Sequence, residues 1–187
     1  MTSTAGPDRP GPSPQAGAAR THDAVAPSAS PLLDLAEVLR ALGVAAEIVA
    51  PGVPMPTVDA AATAMGCPPE RIFKSILFQG ADGRCVLVIA CGHTRVDVGR
   101  VQDLCGLSGL RLARHDVVRD VTGYPAGGTP PVGHREPVPV IVDTRVAAQE
   151  WGWAGGGRPE HLLKIASAEI LRLGAARVAE VTAAASA

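Results

Sequence analysis

Two features of this chain combine residue types and spacing that could do chemistry. The first is the stretch Thr122 to His134, which reads Thr-Gly-Tyr-Pro-Ala-Gly-Gly-Thr-Pro-Pro-Val-Gly-His, with four glycines and three prolines in thirteen residues. Glycine allows positive φ and close backbone approach, while proline fixes φ and removes an N–H donor. Alternating them makes either a long surface turn or a rigid loop that presents bare amides to an oxygen-rich ligand. The second is Lys74, within Ile72-Phe73-Lys74-Ser75-Ile76-Leu77-Phe78. Strand alternation places Ile72, Lys74, Ile76 and Phe78 on one face, apolar except for the lysine. An ammonium there must snorkel to water, lose its proton, or meet a carboxylate or ligand.

Other candidates are weaker. His134 ends the loop, as a direct base or as a structural hydrogen-bonding group. Asp143 ends the apolar strand Val138–Val142, a common place for pocket residues in α/β folds. It could partner Lys74 or cap the helix that follows. His93, His115 and His161 sit in polar or Gly/Pro-rich surroundings and read as solvated. No histidine pair has the i, i+4 spacing of a helix metal site, so no essential metal and no cofactor is expected. Trp151 and Trp153 flank Gly152 and share a strand face, suited to core packing or to stacking on a nucleobase.

These residues need elements to carry them. Ser30 as N-cap, Pro31 at the first helical position and Asp34 in the first turn predict a helix with Leu32, Leu35, Leu39 and Leu42 at helical spacing, stopped by Gly43. Val44–Val49 predicts a strand, and Thr57 caps a second, alanine-rich helix ending at Met65-Gly66. Arg71–Gln79 and Arg84–Cys91 predict a hairpin across Gly80-Ala81-Asp82-Gly83, whose Asp-Gly is a strong turn signal. Helices are expected near Asp97–Leu104 and Asp116–Val121, before the glycine–proline loop. Beyond Val138–Val142, a strand at Leu162–Ala166, a helix from a Ser167 cap to Leu173 and a strand near Val178–Val181 complete the chain. Interleaved strands and helices with at least one hairpin predict an α/β domain with a mixed sheet. Residues 1 to about 30 are rich in Pro, Gly, Ala, Ser and Thr, too poor in large apolar side chains to offset the entropy of ordering, and are expected to be a disordered tail.

Bulk properties narrow the function. The chain has 187 residues and a formal net charge of −1, suiting one domain with an appendage and lacking the basic footprint of a strong nucleic-acid binder. Any RNA must be gripped locally or weakly. Cationic residues are nearly all arginine; the two lysines are Lys74 and Lys164. The four cysteines, Cys67, Cys85, Cys91 and Cys105, form no Cys-x-x-Cys pair, which argues against a zinc ribbon or a thioredoxin-type site. No apolar run approaches the roughly 18 residues of a membrane span, and the N-terminus lacks the order of a secretory signal. A soluble, cytoplasmic protein without membrane partners is expected.

Together, Pro68-Pro69-Glu70-Arg71-Ile72-Phe73-Lys74-Ser75, the loop Thr122–His134, the strand Val140-Ile141-Val142-Asp143, and Gly155-Gly156-Gly157 followed by Leu162-Leu163-Lys164-Ile165 resemble the YbaK/prolyl-tRNA-synthetase-associated editing-domain family. The resemblance runs from about residue 32 to the C-terminus and implies a single α/β domain, residues 31–187, with a curved mixed sheet flanked by helices. It implies an enzyme, an aminoacyl-tRNA deacylase that hydrolyses the ester of mischarged tRNA, typically tRNA(Pro) carrying alanine or cysteine. With no synthetase signature beside the domain, the chain resembles a free-standing, trans-acting member. The implied partners are the acceptor end of aminoacyl-tRNA and, as a candidate, prolyl-tRNA synthetase. Lys74, Gly127 and Gly128 fall at the family's catalytic positions. Tyr124, Thr129, Pro131, Gly133, His134, Asp143 and Gly156 are the implied substrate-binding positions, although the family tolerates other residues at His134. An activated ester needs only an oriented water and a stabilised oxyanion, which backbone amides at Gly127 and Gly128 could supply. Lys74 would anchor the terminal adenosine's phosphate or ribose. A non-catalytic module binding aminoacyl-tRNA or a synthetase is the alternative, and a hydrolase for a small acylated metabolite a third.

Overall fold

A computed structural model of the chain describes residues 1–2 and 31–183. The expected disordered tail and Ser30 therefore lie, from residue 3 on, outside the described residues.

The centre of the molecule is a five-stranded sheet in the order β5–β2–β3–β6–β9, built from β2 (Phe73–Gln79), β3 (Cys85–Cys91), β5 (Arg111–Leu112), β6 (Val140–Asp143) and β9 (Arg177–Ala179). β2 is antiparallel to β3 and β5, whereas β3–β6 and β6–β9 are parallel, so the sheet is mixed. The β2–β3 hairpin forms where the Asp-Gly signal places it. Gly83 adopts φ +85°, and the Asp82 carboxylate accepts the Arg84 amide at 3.0 Å. β3 is the most enclosed strand, with Val86 to Ala90 fully buried. It reads as a continuous apolar run because both of its faces are covered.

A second sheet has the order β1–β8–β7, from β1 (Glu47–Val49), β7 (Trp151–Gly155) and β8 (Leu162–Ala166), all antiparallel. An Ile72–Trp153 bridge links it to the start of β2. A third pairs two short strands, β4 (Arg95–Val96) and β10 (Thr182–Ala183). The helices are α1 (Leu35–Ala41), α2 (Val58–Met65), α3 (Val98–Cys105), α4 (His115–Thr122), α5 (Thr144–Ala147) and α6 (Ser167–Gly174). The main core joins α1 to the sheets through Leu35, Leu39, Leu87, Ile89, Leu163 and Ile170.

Thr57 caps α2, its hydroxyl accepting the Ala60 amide at 3.1 Å, and Gly66 closes it in the left-handed conformation. Asp97 likewise caps α3. Three expectations need correction. α1 begins at Leu35 rather than at Pro31, because the Asp34 side chain accepts the amides of Ala36 and Glu37. The segment before it is held outside the helix by Leu33 N donating to Gly123 O at 3.0 Å. Ser167 is the first residue of α6 and not its cap; its hydroxyl donates to the Val146 carbonyl at 2.9 Å. The final strand is two strands, β9 and β10, since the chain leaves the large sheet at Ala179 and pairs with β4 from Thr182.

Candidate active site

β2 is paired along its whole length with β3, but on its other edge β5 covers only Phe78 and Gln79. Beyond the Ile72–Trp153 bridge, Ile72 to Ser75 line a cavity of about 470 Å³. The segment entering α2 and the helix itself (Met55, Val58, Ala61), with Ile72 and Leu162, make the wall apolar, while Gly127 and Thr129 bring the glycine–proline loop to it. Lys74 and Glu160 are the two ionisable side chains among the lining residues.

Lys74 is half-buried, and its ammonium donates to the Thr94 carbonyl at 2.8 Å. Burial holds its pKa below the usual 10.5, with the Cys91 thiol opposing. An ammonium bonded once retains two donors for a ligand. Beside it, the Ser75 hydroxyl is buried without a protein partner and lines the same cavity. Strand alternation alone puts Ser75 on the face opposite Lys74, so the sequence pattern passes over it.

The loop is pinned from within. Tyr124 is fully buried. Its hydroxyl donates to the Gly133 carbonyl at 3.1 Å, and burial, with Asp34 adding and Arg135 opposing, pushes its pKa up to about 12. Thr129 Oγ1 donates to the Pro125 carbonyl at 3.1 Å. Gly127 takes φ +83°, is exposed to the cavity, and its amide donates to no acceptor among the described residues. Gly128 differs: it is buried, and its amide donates to Pro125 O at 3.0 Å. A Cβ there would lie 2.5 Å from the Arg158 carbonyl carbon. The second glycine run interlocks with it. Gly157 N donates to Gly128 O at 2.8 Å, and a Cβ on Gly155 would meet Thr129 O at 2.3 Å. Gly128 and Gly155 are glycine because two backbones touch there with no room for side chains.

The structure thus brings Lys74, Gly127 and Thr129 to one cavity, and the remaining expected residues are not among those lining it. Pro131 is buried within the loop, and Gly133 packs on α1, where its Cβ would fall 2.6 Å from Val38 Cγ1. Gly156 donates its amide to His161 O at 2.9 Å and is buried against that residue. Asp143 is fully buried and caps α5, with Oδ1 accepting the Arg145 amide at 3.0 Å. Oδ2 accepts Val181 N at 3.0 Å and Thr182 Oγ1 at 2.9 Å, while Lys74 bonds Thr94 instead. Trp153 is buried in a cluster with α2, and Trp151 carries the Arg71 and Lys164 cations over its ring at 4.7 and 4.6 Å. Both tryptophans are therefore engaged in packing and cation–π contacts.

His134 Nε2 lies 2.9 Å from Pro130 O. A carbonyl only accepts, so that nitrogen carries the hydrogen. Burial holds the imidazole below its usual 6.5, opposed by this bond. The unfolded chain then binds the proton more readily than the folded one. Stability should be fully present above about pH 6.5 and fall as the pH drops toward the depressed folded value. Urea midpoints measured at about pH 7.5 and about pH 5 should show this loss, and His134→Gln, which does not titrate, should flatten it.

Among the described residues no group of three His, Cys, Asp or Glu side chains is placed to hold a metal ion, and no helix is long and apolar enough to cross a membrane. The four cysteines are free, and burial pushes each thiol up.

Fold and site together define a known class: residues 52–173 match the aminoacyl-tRNA editing domain, and the chain belongs to that family. It is 34% identical over 99 residues to the proline–tRNA ligase of Geobacillus kaustophilus, a match covering 53% of this chain and 17% of the ligase. The chain therefore corresponds to a small part of these longer enzymes. Among solved structures, it is similar to "a putative trans-editing enzyme for prolyl tRNA synthetase", at 33% identity and TM-score 0.70 over 80% of this chain and 94% of that one. It is also similar to a hypothetical protein, APE2540, at 30% identity and TM-score 0.73 over 80% and 99% of the two chains.

Proposed function

We propose that this protein is a trans-acting aminoacyl-tRNA deacylase that hydrolyses the ester of mischarged tRNA, its editing domain running over residues 31–187. The observation that carries the reading is the meeting of Lys74 and Gly127 at one largely apolar cavity. In this reading Lys74 anchors the terminal adenosine's phosphate or ribose. The free amide of Gly127 faces the oxygen that becomes negative when water attacks the ester carbonyl. Electrons then return to expel the ribose oxygen, which takes up the proton that the attacking water gives up. Gly128 acts differently, holding the loop against Arg158. Glu160, the acid lining the cavity, suits the α-ammonium of an aminoacyl ester.

The apolar wall of Met55, Val58 and Ala61 favours a small uncharged side chain, and we assign tRNA(Pro) carrying alanine or cysteine as substrate. Such editing supplies selectivity that a single binding step lacks, since one methylene separates substrates by only roughly 10–200-fold. The work is that of a translation-fidelity factor in the cytoplasm, alongside prolyl-tRNA synthetase. The test is a deacylation panel with purified protein and tRNA(Pro) charged with Ala, Cys, Ser or Pro, plus unrelated mischarged tRNAs. Rapid loss of Ala or Cys with Pro spared is expected; equal rates across the panel would sink the substrate assignment.

A further inference from the structure

We propose that the C-terminal strand β10, through Thr182, is a positioning element that holds Lys74 in its working place. The chain of contacts starts at the ammonium, whose protein partner is the Thr94 carbonyl. Thr94 lies in the turn between β3 and β4, with its amide and hydroxyl both directed to Cys91 O, at 3.3 and 2.6 Å. The turn leads into β4, two residues long, whose ladder partner is β10, with Val96 opposite Thr182 and Arg95 opposite Ala183. The Asp97 amide extends this pairing by donating to Val181 O at 2.8 Å.

A pair of two-residue strands is not stable by itself. β10 is fixed by a buried polar cluster. Thr182, 2% exposed, donates its hydroxyl to the fully buried Asp143 and accepts from the Arg145 guanidinium. Arg145 also reaches the Thr182 carbonyl at 3.3 Å, and Asp143 takes the Val181 amide. Valine would fill the site with equal volume, so what the hydroxyl adds is its bonds to Asp143 and Arg145, whose loss would leave buried polar partners unpaired at a cost. The family match ends at residue 173, so this strand lies beyond the matched segment while pairing with β4, next to the Thr94 carbonyl that accepts from Lys74.

The inference rests on the reading that Lys74 contacts substrate, and its test separates the two. Full-chain protein carrying 13C-labelled lysine gives side-chain signals from Lys74 and Lys164 alone, assigned with Lys74→Arg. In Thr182→Val the Lys74 signal should move and its titration shift upward toward the ordinary lysine range, while Lys164 stays put. Turnover on mischarged tRNA(Pro) should fall about 10-fold, as expected for one lost bond to a charged group, and KM should change less. Thr182→Ser, which keeps the hydroxyl, should retain the wild-type signal and rate. Thr182→Ala serves in place of the valine variant if that fails to fold. An unmoved Lys74 signal with wild-type turnover in the folded variant would overturn the proposal and leave the deacylase reading intact. Should the wild type hydrolyse no ester at all, that reading fails by itself, and the lysine signal still decides whether β10 positions Lys74.

Discussion

Lys74→Ala should lower deacylation roughly 10- to 100-fold, the range given by losing a charge-assisted hydrogen bond of about 1.5–3 kcal/mol, with thermal stability unchanged or improved. The sign of the stability effect follows from burial. The folded protein holds the lysine's pKa below 10.5, so the charged form is disfavoured on folding. That cost is full below the folded value and is lost as the pH rises from there past the unfolded value near 10.5. Any gain from alanine should therefore be seen at neutral pH and shrink toward about pH 10. Lys74→Arg should also fail, because a planar fork cannot replace a compact ammonium against a single carbonyl. Steady-state deacylation and calorimetry on the same preparations check both halves. Full activity in Lys74→Ala would reduce the residue to a snorkelling lysine.

The loop glycines should separate when each is replaced by alanine. At Gly128 the new methyl would fall 2.5–2.8 Å from Arg158 backbone atoms, which cannot swing aside as a side chain can. The contact between the two glycine runs must open, so both stability and turnover should drop, by about 1–3 kcal/mol on the scale of overpacking and by at least about 10²-fold as the loop, with its Gly127 amide, shifts from the ester. At Gly127 nothing lies within 4 Å of the added methyl. The strain there is that of φ +83°, costing about 1–2 kcal/mol. Relief of that strain turns the unpaired amide away from the ester, so turnover should fall about 10²-fold while tRNA affinity changes little. Denaturant unfolding beside single-turnover kinetics distinguishes the two variants. Equal behaviour in both would remove the distinction between a packing glycine and an oxyanion donor.

Much of this was readable from residues close in sequence. The β2–β3 hairpin follows from Asp82-Gly83 and α2 from Thr57 and Gly66, each a signal contained within one or two turns of chain. Distant pairings were not readable. β4, β5 and β10 are two residues each, too short for a periodic pattern, and exist because remote segments dock on them. α1 began four residues late because Asp34, not the Ser-Pro pair, supplies the cap. At the site, Lys74 and the glycine loop stood out by composition. The wall from α2, the unpartnered Ser75 hydroxyl and Glu160 did not, since only the fold brings them to the edge of β2. Asp143 was visible as a strand-end carboxylate, but its bonds to Val181 and Thr182 depend on a strand nearly forty residues away.

The most direct test of the central claim is single-turnover hydrolysis with protein in excess over mischarged tRNA(Pro), following ester loss and tRNA binding together. If the cavity beside Lys74 is catalytic, the ester should disappear in a first-order phase whose rate saturates with protein concentration and lies orders of magnitude above that in buffer. Saturable tRNA binding with an ester lifetime no shorter than in buffer would contradict the account and leave a binding module.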